Sequence, residues 1–372
     1  MKKSISLLAL ASILAAGTAY ASGYRIPEQS PESVAKAGAH IASSVGADSS
    51  YYNPANMSWA ADSWLTEIDL TYIGLASIDY TDVRTPAFNG STETENFVVP
   101  TFFVVSPDYS NFRFGLSLTA PYGLAKRWND YYPSLFAQKF ELKVFDLNPN
   151  VSYEINDYFS IAGGVRAVFS TATARFGGAF PTGVVANLDL DLSGTATGSS
   201  NVPAPFSFDS DADVTLPAPA IFTLAAAYDW DDLTVEIAWD RTMWSEYEEL
   251  NFNFVNPMAE AVFGPPRPKN WDDTDAFRIS AAYAFNEAFT GMVGFALDDN
   301  PVPDNTLSFE LPDSDAMLFS IGGRYMINEQ MACGVGLLYD HKDSRTVNNA
   351  TVAGEFDNAS ALLISAGFSY TF

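Results

Sequence analysis

The sequence predicts an all-β chain, a transmembrane antiparallel β-barrel with a small N-terminal plug. Three observations predict it. The last eleven residues, Leu362 to Phe372, alternate: Leu362, Ile364, Ala366, Phe368, Tyr370 and Phe372 are apolar or aromatic. Leu363, Ser365, Gly367, Ser369 and Thr371 between them are small and mostly polar. A period of two with one greasy and one wet face is a strand between lipid and a polar lumen. Second, aromatic residues make up 14% of the chain and charged residues only 17%, where soluble domains carry ~25% charged. Third, mean hydropathy is near zero at +0.01, and after Ala21 there is no apolar run of the roughly 20 residues that a spanning helix needs. Half-greasy strands satisfy all three.

Residues 1–21 read as a signal peptide. Lys2 and Lys3 supply a positive start, Ile5 to Ala16 a short apolar core, and Ala19-Tyr20-Ala21 a small-x-small cleavage site. The apolar core is too short for a membrane anchor. Residues 22–61 carry no strand alternation. Ser30 to Ala39 and the turn Asn53-Pro54-Ala55-Asn56 suit short helical pieces, and Ala, Gly and Ser suit close packing in a confined space. This segment is expected to be a hatch folded into the lumen, and residues 62–372 the barrel.

From Asp62 onward, extended runs are separated alternately by tight turns and long loops. The tight turns are Pro107 to Asn111, Asn156-Asp157, Asp229 to Asp232, Asn286-Glu287 and Asn328 to Gln330. The long loops fall near 81–96, 123–139, 177–205, 251–272, 299–313 and 342–358. Short turns on the periplasmic side and long loops outside are the asymmetry of outer-membrane barrels. Five tight turns make five hairpins, and the first and last strands bring the count to about twelve. Aromatics near strand ends, such as Tyr228, Trp230, Tyr283, Phe285 and Tyr325, suit a headgroup girdle.

The remaining chemistry is mostly exclusion. With the two signal lysines removed, 17 basic residues face 45 acidic ones, a balance of −28, so a nucleic-acid partner is not expected. The acids crowd into turns, as at Asp229, Asp231 and Asp232. They read as solvated loop chemistry, with a loop calcium site the less favoured alternative and no EF-hand spacing present. Cys333 stands alone, so no intrachain disulfide forms. No HExxH, GxSxG, phosphate-binding loop or dinucleotide fingerprint occurs. No enzyme site, cofactor or metal is expected.

Several motifs in order carry a resemblance. Phe295-Ala296-Leu297-Asp298-Asp299-Asn300-Pro301-Val302-Pro303, continuing to Leu311-Pro312-Asp313, is similar to a signature of the outer-membrane long-chain fatty-acid transporters. Trp244-Ser245-Glu246-Tyr247, Ala120-Pro121-Tyr122-Gly123-Leu124, Asn53-Pro54-Ala55 and the terminal Tyr370-Thr371-Phe372 match further segments of that family. The chain thus resembles the FadL family, which also includes uptake channels for aromatic hydrocarbons. The resemblance implies a 14-stranded barrel closed by an N-terminal hatch, a ligand pocket beside the hatch, and lateral exit through a gap made by a kinked third strand. Pro121, Tyr122 and Gly123 are the expected lateral gate, since proline and glycine interrupt a ladder; the plainer alternative is that Pro121 ends the strand. The pocket of such a protein is mainly apolar, with a basic residue for a carboxylate, and Arg166, Arg175 and Lys269 are the expected ligand-binding residues. One departure leaves the strand number open. Where the family has another full hairpin, Gly177 to Pro205 is short, and only Val184 to Leu192 looks extended.

The expected function is passive uptake of hydrophobic molecules, long-chain fatty acids or aromatic hydrocarbons. A general porin for small polar solutes and a purely structural barrel are the alternatives. Expected partners are the hydrophobic ligand, outer-membrane lipid and lipopolysaccharide, and the barrel-assembly machinery through the C-terminal strand, with the protein a monomer.

Overall fold

The computed structural model describes residues 23–372 except 180–182, 192–194 and 203. The expected signal peptide lies outside the described residues. The wall is built from long antiparallel strands. They are β1 (Leu65–Leu75), β2 (Glu95–Val105), β3 (Phe112–Arg127), β4 (Lys139–Asn156), β5 (Phe159–Gly164), β6 (Ala167–Ala179), β7 (Val185–Asp191), β8 (Thr195–Ser200) and β9 (Phe206–Val214). They continue as β10 (Ile221–Trp230), β11 (Leu233–Thr242), β12 (Thr274–Ala284), β13 (Phe289–Asp298), β14 (Ala316–Met326), β15 (Met331–Lys342) and β16 (Ser360–Thr371). Among the described residues, neighbours in sequence pair with each other except β5 with β6 and β9 with β10, and the ends of the chain meet: β1 pairs with β16 from Leu65↔Thr371 to Leu75↔Ala361.

β5 and β6 are one strand interrupted at 165–166, because both pair with β4. Counted so, β1 to β4, β5/β6 and β10 to β16 are twelve wall strands. Adding the β7–β8 hairpin brings the count to fourteen, and β9, which pairs with β8, would make it fifteen. That hairpin is short, 7 and 6 residues, and it meets β6 only over Thr173–Ala179.

The alternation of the closing strand follows its two solvents. Ile364 and Phe368 face outward and are exposed, while Leu363 and Ser365 are buried inward. All five tight turns join paired strands. The long loops hold more structure than composition suggests. Asp79–Asp82, Gly90–Ser91, Arg345–Asn348 and Ala353–Asp357 form a separate four-stranded sheet. Tyr80, Trp128, Phe309 and Phe356 pack beneath it, and Trp128 Nε1 donates to the Phe309 carbonyl at 2.8 Å.

Inside the wall lies the N-terminal segment. Helix α1 (Pro31–Ala35) is capped by Ser30, whose hydroxyl accepts from the Ser33 N–H. Helix α2 (Ser49–Tyr52) and a 3₁₀ turn (Pro54–Trp59) follow. Glycines on the inner wall seat α1. A Cβ at Gly336 would lie 2.4 Å from the Pro31 carbonyl oxygen, and one at Gly294 would lie 2.2 Å from the Lys36 backbone. Only hydrogen fits there.

Candidate functional site

The site forms where β3 leaves the ladder. β3 pairs with β2 only across Gly115–Leu118, although β2 continues to pair with β1 up to Glu95. On its other side the β3–β4 register slips between Thr119 and Tyr122. Pro121 sits at that slip and has no N–H to give. The strand nevertheless runs on to Arg127, so Pro121 bends it and does not end it.

The N-terminal segment takes up the freed edge. Ile26 N–H donates to the Pro121 carbonyl at 2.8 Å, and Gly123 N–H donates to the Tyr24 carbonyl at 2.9 Å. The Gln29 amide brackets the residue before the kink: Nε2 donates to the Ala120 carbonyl at 3.1 Å, and Ala120 N–H donates to Oε1 at 2.8 Å. The kink is thus a place where a strand has exchanged its neighbour for the chain's own N-terminal residues.

The rest of that segment is fastened by polar groups on the wall. Glu236 of β11 accepts from the backbone N–H groups of Ile41 (2.6 Å), Ala42 (2.8 Å) and Ser43 (2.9 Å), and from the Ser43 hydroxyl. Within the Asn53-Pro54-Ala55 turn, the Asn53 amide donates to the Ile41 carbonyl and to Asn56 Oδ1. Pro54 opens the 3₁₀ turn, and the Ala55 carbonyl accepts from the Ser160 hydroxyl at 2.7 Å. Asn56, next in sequence, donates to the carbonyls of Ile41, Ala42 and Ser44 and ties the loop into a knot.

Charges finish the fastening. Glu32 on α1 pairs with Arg324 of β14. His40 lies 2.9 Å from Asp48 and 3.0 Å from Lys36 Nζ. Burial raises the Glu32 carboxyl, but Arg324, His40 and Lys36 together outweigh it and the group falls to about 2. Glu28 goes the other way: burial outweighs Arg278 and pushes it up to about 7.

Beside the kink is a cavity of about 260 Å³. Ile73, Leu75, Val99, Leu142 and Leu318 make its apolar wall, and Ile26 and Glu28 of the N-terminal segment its inner end. Val98 and Phe145 also line it. They point outward, 65% and 40% exposed, so the cavity reaches the outer surface where β2 and β3 part. Arg25, Lys126, Lys143 and Lys342 are its flanking cations, and Lys143 is held by Glu141 at 2.6 Å. Arg25 is held by Asp240 at 3.1 Å and Lys342 by Asp313 at 2.8 Å. Lys126 has no ion pair or side-chain hydrogen bond among the described residues.

Pro121, Tyr122 and Gly123 stand on the kink, and Tyr122 and Gly123 line the cavity. Arg166, Arg175 and Lys269 are not among its described lining residues. Arg166 pairs with Asp146 and lies over the Tyr51 ring. Arg175 pairs with Asp189 at 2.8 Å on an exposed stretch. Lys269 is buried against Glu310. Burial raises Glu310, but Lys269, with Ser308 and Arg267, outweighs it and the carboxyl falls to about 2. Sequence reading missed Lys126, Gln29 and Glu236. Lys126 follows the matched Tyr122-Gly123-Leu124 by two residues, the one signal available. Gln29 and Glu236 carried none.

A family model for outer membrane protein transport proteins (OMPP1/FadL/TodX) matches residues 12–197 and 171–372. The chain belongs to that family. Its place is the outer membrane, and its family is one of transport proteins. A long-chain fatty acid transport protein of Salmonella typhi is 30% identical over 133 residues, 35% of this chain and 29% of that protein. The chain thus spans less than a third of that relative's length in the alignment. One of the same description from Escherichia coli O6:H1 is 24% identical over 367 residues, 79% of this chain and 81% of that protein. Among solved structures, a Pseudomonas aeruginosa FadL homologue superposes with a TM-score of 0.79 at 16% identity, covering 94% of this chain and all of that one, 100%. The Pseudomonas putida toluene transporter TodX gives 0.73 at 16%, covering 92% and 98%. These two share the barrel fold.

Proposed function

We propose that this family member is a passive channel for hydrophobic molecules, which enter the cavity beside the N-terminal segment and leave sideways between β2 and β3. One observation carries the reading: the apolar cavity runs from Ile26 and Glu28 in the lumen to the outward-facing Val98 and Phe145. A molecule that partitions out of water gains nothing from an aqueous pore. A greasy passage that ends on lipid lets it avoid the periplasm. Residues 22–61 act as the hatch, with Asn53, Pro54 and Ala55 in its folded turn, and Pro121, Tyr122 and Gly123 form the gate.

The ligand is a long-chain fatty acid or a similar amphiphile. Lys126 is a cation without a fixed partner on an apolar cavity, the arrangement that recognises one carboxylate on a long apolar tail. Relatives described as long-chain fatty acid transport proteins support this. The second reading, an aromatic hydrocarbon, is supported by the fold shared with a toluene transporter. Arg166, Arg175 and Lys269 would then serve the wall and loops. We take the working unit to be a monomer, inserted by the barrel-assembly machinery through β16 among lipid and lipopolysaccharide.

Lys126→Met separates the two ligands. In proteoliposomes, uptake of a labelled fatty acid should fall about tenfold, the loss of roughly one charge-assisted hydrogen bond, while uptake of an alkylbenzene should be unchanged. Equal loss of both removes the carboxylate reading. Wild-type uptake no faster than empty vesicles removes the transport reading itself.

A further inference from the structure

The wall has a second discontinuity, away from the kink. β10 pairs with β11 along its whole length, and β5 and β6 pair with β4. Among the described residues no ladder joins β10 to β5 or β6. β7 covers β6 only from Thr173 onward. Residues 159–172 and 221–230 therefore present bare edges, and side chains along both stand open, Ile161 at 60% and Tyr228 at 72% exposed. At membrane depth a bare edge leaves N–H and C=O groups that lipid cannot satisfy.

β5 rises from the tight turn at Asp157-Tyr158, and β10 descends to the tight turn at Asp231-Asp232, so the two run antiparallel from the same rim. Setting the turns level places Ile161 opposite Tyr228, Ala162 opposite Ala227 and Gly163 opposite Ala226. The faces agree in that register. Ser160 points inward, since its hydroxyl reaches the Ala55 carbonyl. Thr223 also points inward, since it donates to the buried Asp240. Ile161 and Tyr228 then both face lipid. Ala162-Gly163-Gly164 lies against Ala225-Ala226-Ala227, so no bulky side chain holds the backbones apart.

We infer that this seam is a second lateral gate, which closes by pairing β5 with β10 and, when parted, passes an amphipathic molecule between lumen and lipid. The parted seam is itself amphipathic. Val168 and Phe169 are its exposed apolar rim, and Arg166 beside Asp146 is the first polar group behind it. The kind of molecule carried rests on the proposed function above; the pairing does not.

The test uses the full chain with Cys333→Ser, Ile161→Cys and Tyr228→Cys in proteoliposomes. Antiparallel neighbours bring Cβ atoms within disulfide reach. Oxidation should give an intramolecular disulfide in most molecules, and far more slowly in the out-of-register pair Ile161→Cys with Leu224→Cys. The disulfide should lower uptake of labelled fatty acid, and reductant should restore it. No disulfide, or one that forms only between two chains, overturns the pairing. A complete disulfide with unchanged uptake overturns the passage. The disulfide yield is read whether or not the protein carries fatty acid. If the reduced protein takes up none, the passage and the proposed function fall together, and the pairing still stands or falls on the yield.

Discussion

At the scale of single residues, Glu236 bears most on how the N-terminal segment is held. Its carboxylate gathers three successive backbone N–H groups and a hydroxyl, as a helix N-terminus would gather an anion. Glu236→Ala leaves those donors facing an apolar methyl. Unsatisfied donors cost ~1–3 kcal/mol each, so the loop around Ile41 should loosen while the wall ladders persist. Hydrogen exchange reads this directly: the amides of Ile41, Ala42 and Ser43 should exchange at least about tenfold faster, one factor of ten per ~1.4 kcal/mol. Unchanged exchange would mean that Asn53 and Asn56 hold the loop alone. This residue also shows why parts of the site were illegible. Ser365 and Phe368 could be read because lipid and lumen force opposite chemistry at a period of two. Glu236 follows that period as one more inward polar residue, and nothing local marks the three N–H groups that it meets 193 to 195 positions away. Lys126 was hidden differently, because 123–139 reads as a loop, while the strand in fact runs to Arg127.

At the scale of elements, α1 is held by shape and by charge, and each can be perturbed alone. Its seat is glycine: the Pro31 carbonyl lies 2.4 Å from where a Gly336 Cβ would stand. Gly336→Val should push α1 off β15, at ~1–3 kcal/mol for overpacking. Limited proteolysis should then cut within residues 23–61 sooner than in the wild type, with the wall intact by its resistance to unfolding in detergent. Charge gives a pH dependence with two arms. Glu28 rises from 4.5 to about 7 on folding, so the packed segment binds its proton more tightly than the free one. That contribution to stability is complete below about 4.5 and is lost as pH climbs through 7. Glu32 falls from 4.5 to about 2. Its contribution is present above 4.5 and is lost as pH drops toward 2. Exchange protection of α1 amides should therefore peak near pH 4.5 to 5 and decline on both sides. With Glu28→Gln the decline toward neutral pH should disappear and the acid arm should remain. The helix itself was legible only as a break in alternation, because five residues are too few to show a helical period.

At the scale of the whole molecule, the wall and the segment inside it make different demands on the sequence. The wall repeats one rule across many strands, so its tight turns and its alternation could be read from residue types alone, while the strand number stayed open between twelve and fourteen. The seam could not, since β10 alternates like any other strand and only the missing neighbour sets it apart. The lumen carries buried acids along much of its height, including Glu67, Asp69, Asp240 and Asp298, and basic side chains or the N-terminal segment answer several of them. Arg25 lies on Asp240, and the backbone around Ile41 lies on Glu236. Removing residues 23–61 would take away Arg25, Lys36 and His40 and leave those acids lining water. The truncated barrel should then show a steady conductance in a planar bilayer, several-fold selective for cations, as acidic rings select. The full chain should show little, because the same lumen is filled. Unheated gel migration confirms that the truncated wall has folded. A large steady conductance from the full chain would instead make this family member a porin for polar solutes, and the cavity beside Pro121 would lose its claim to be the path.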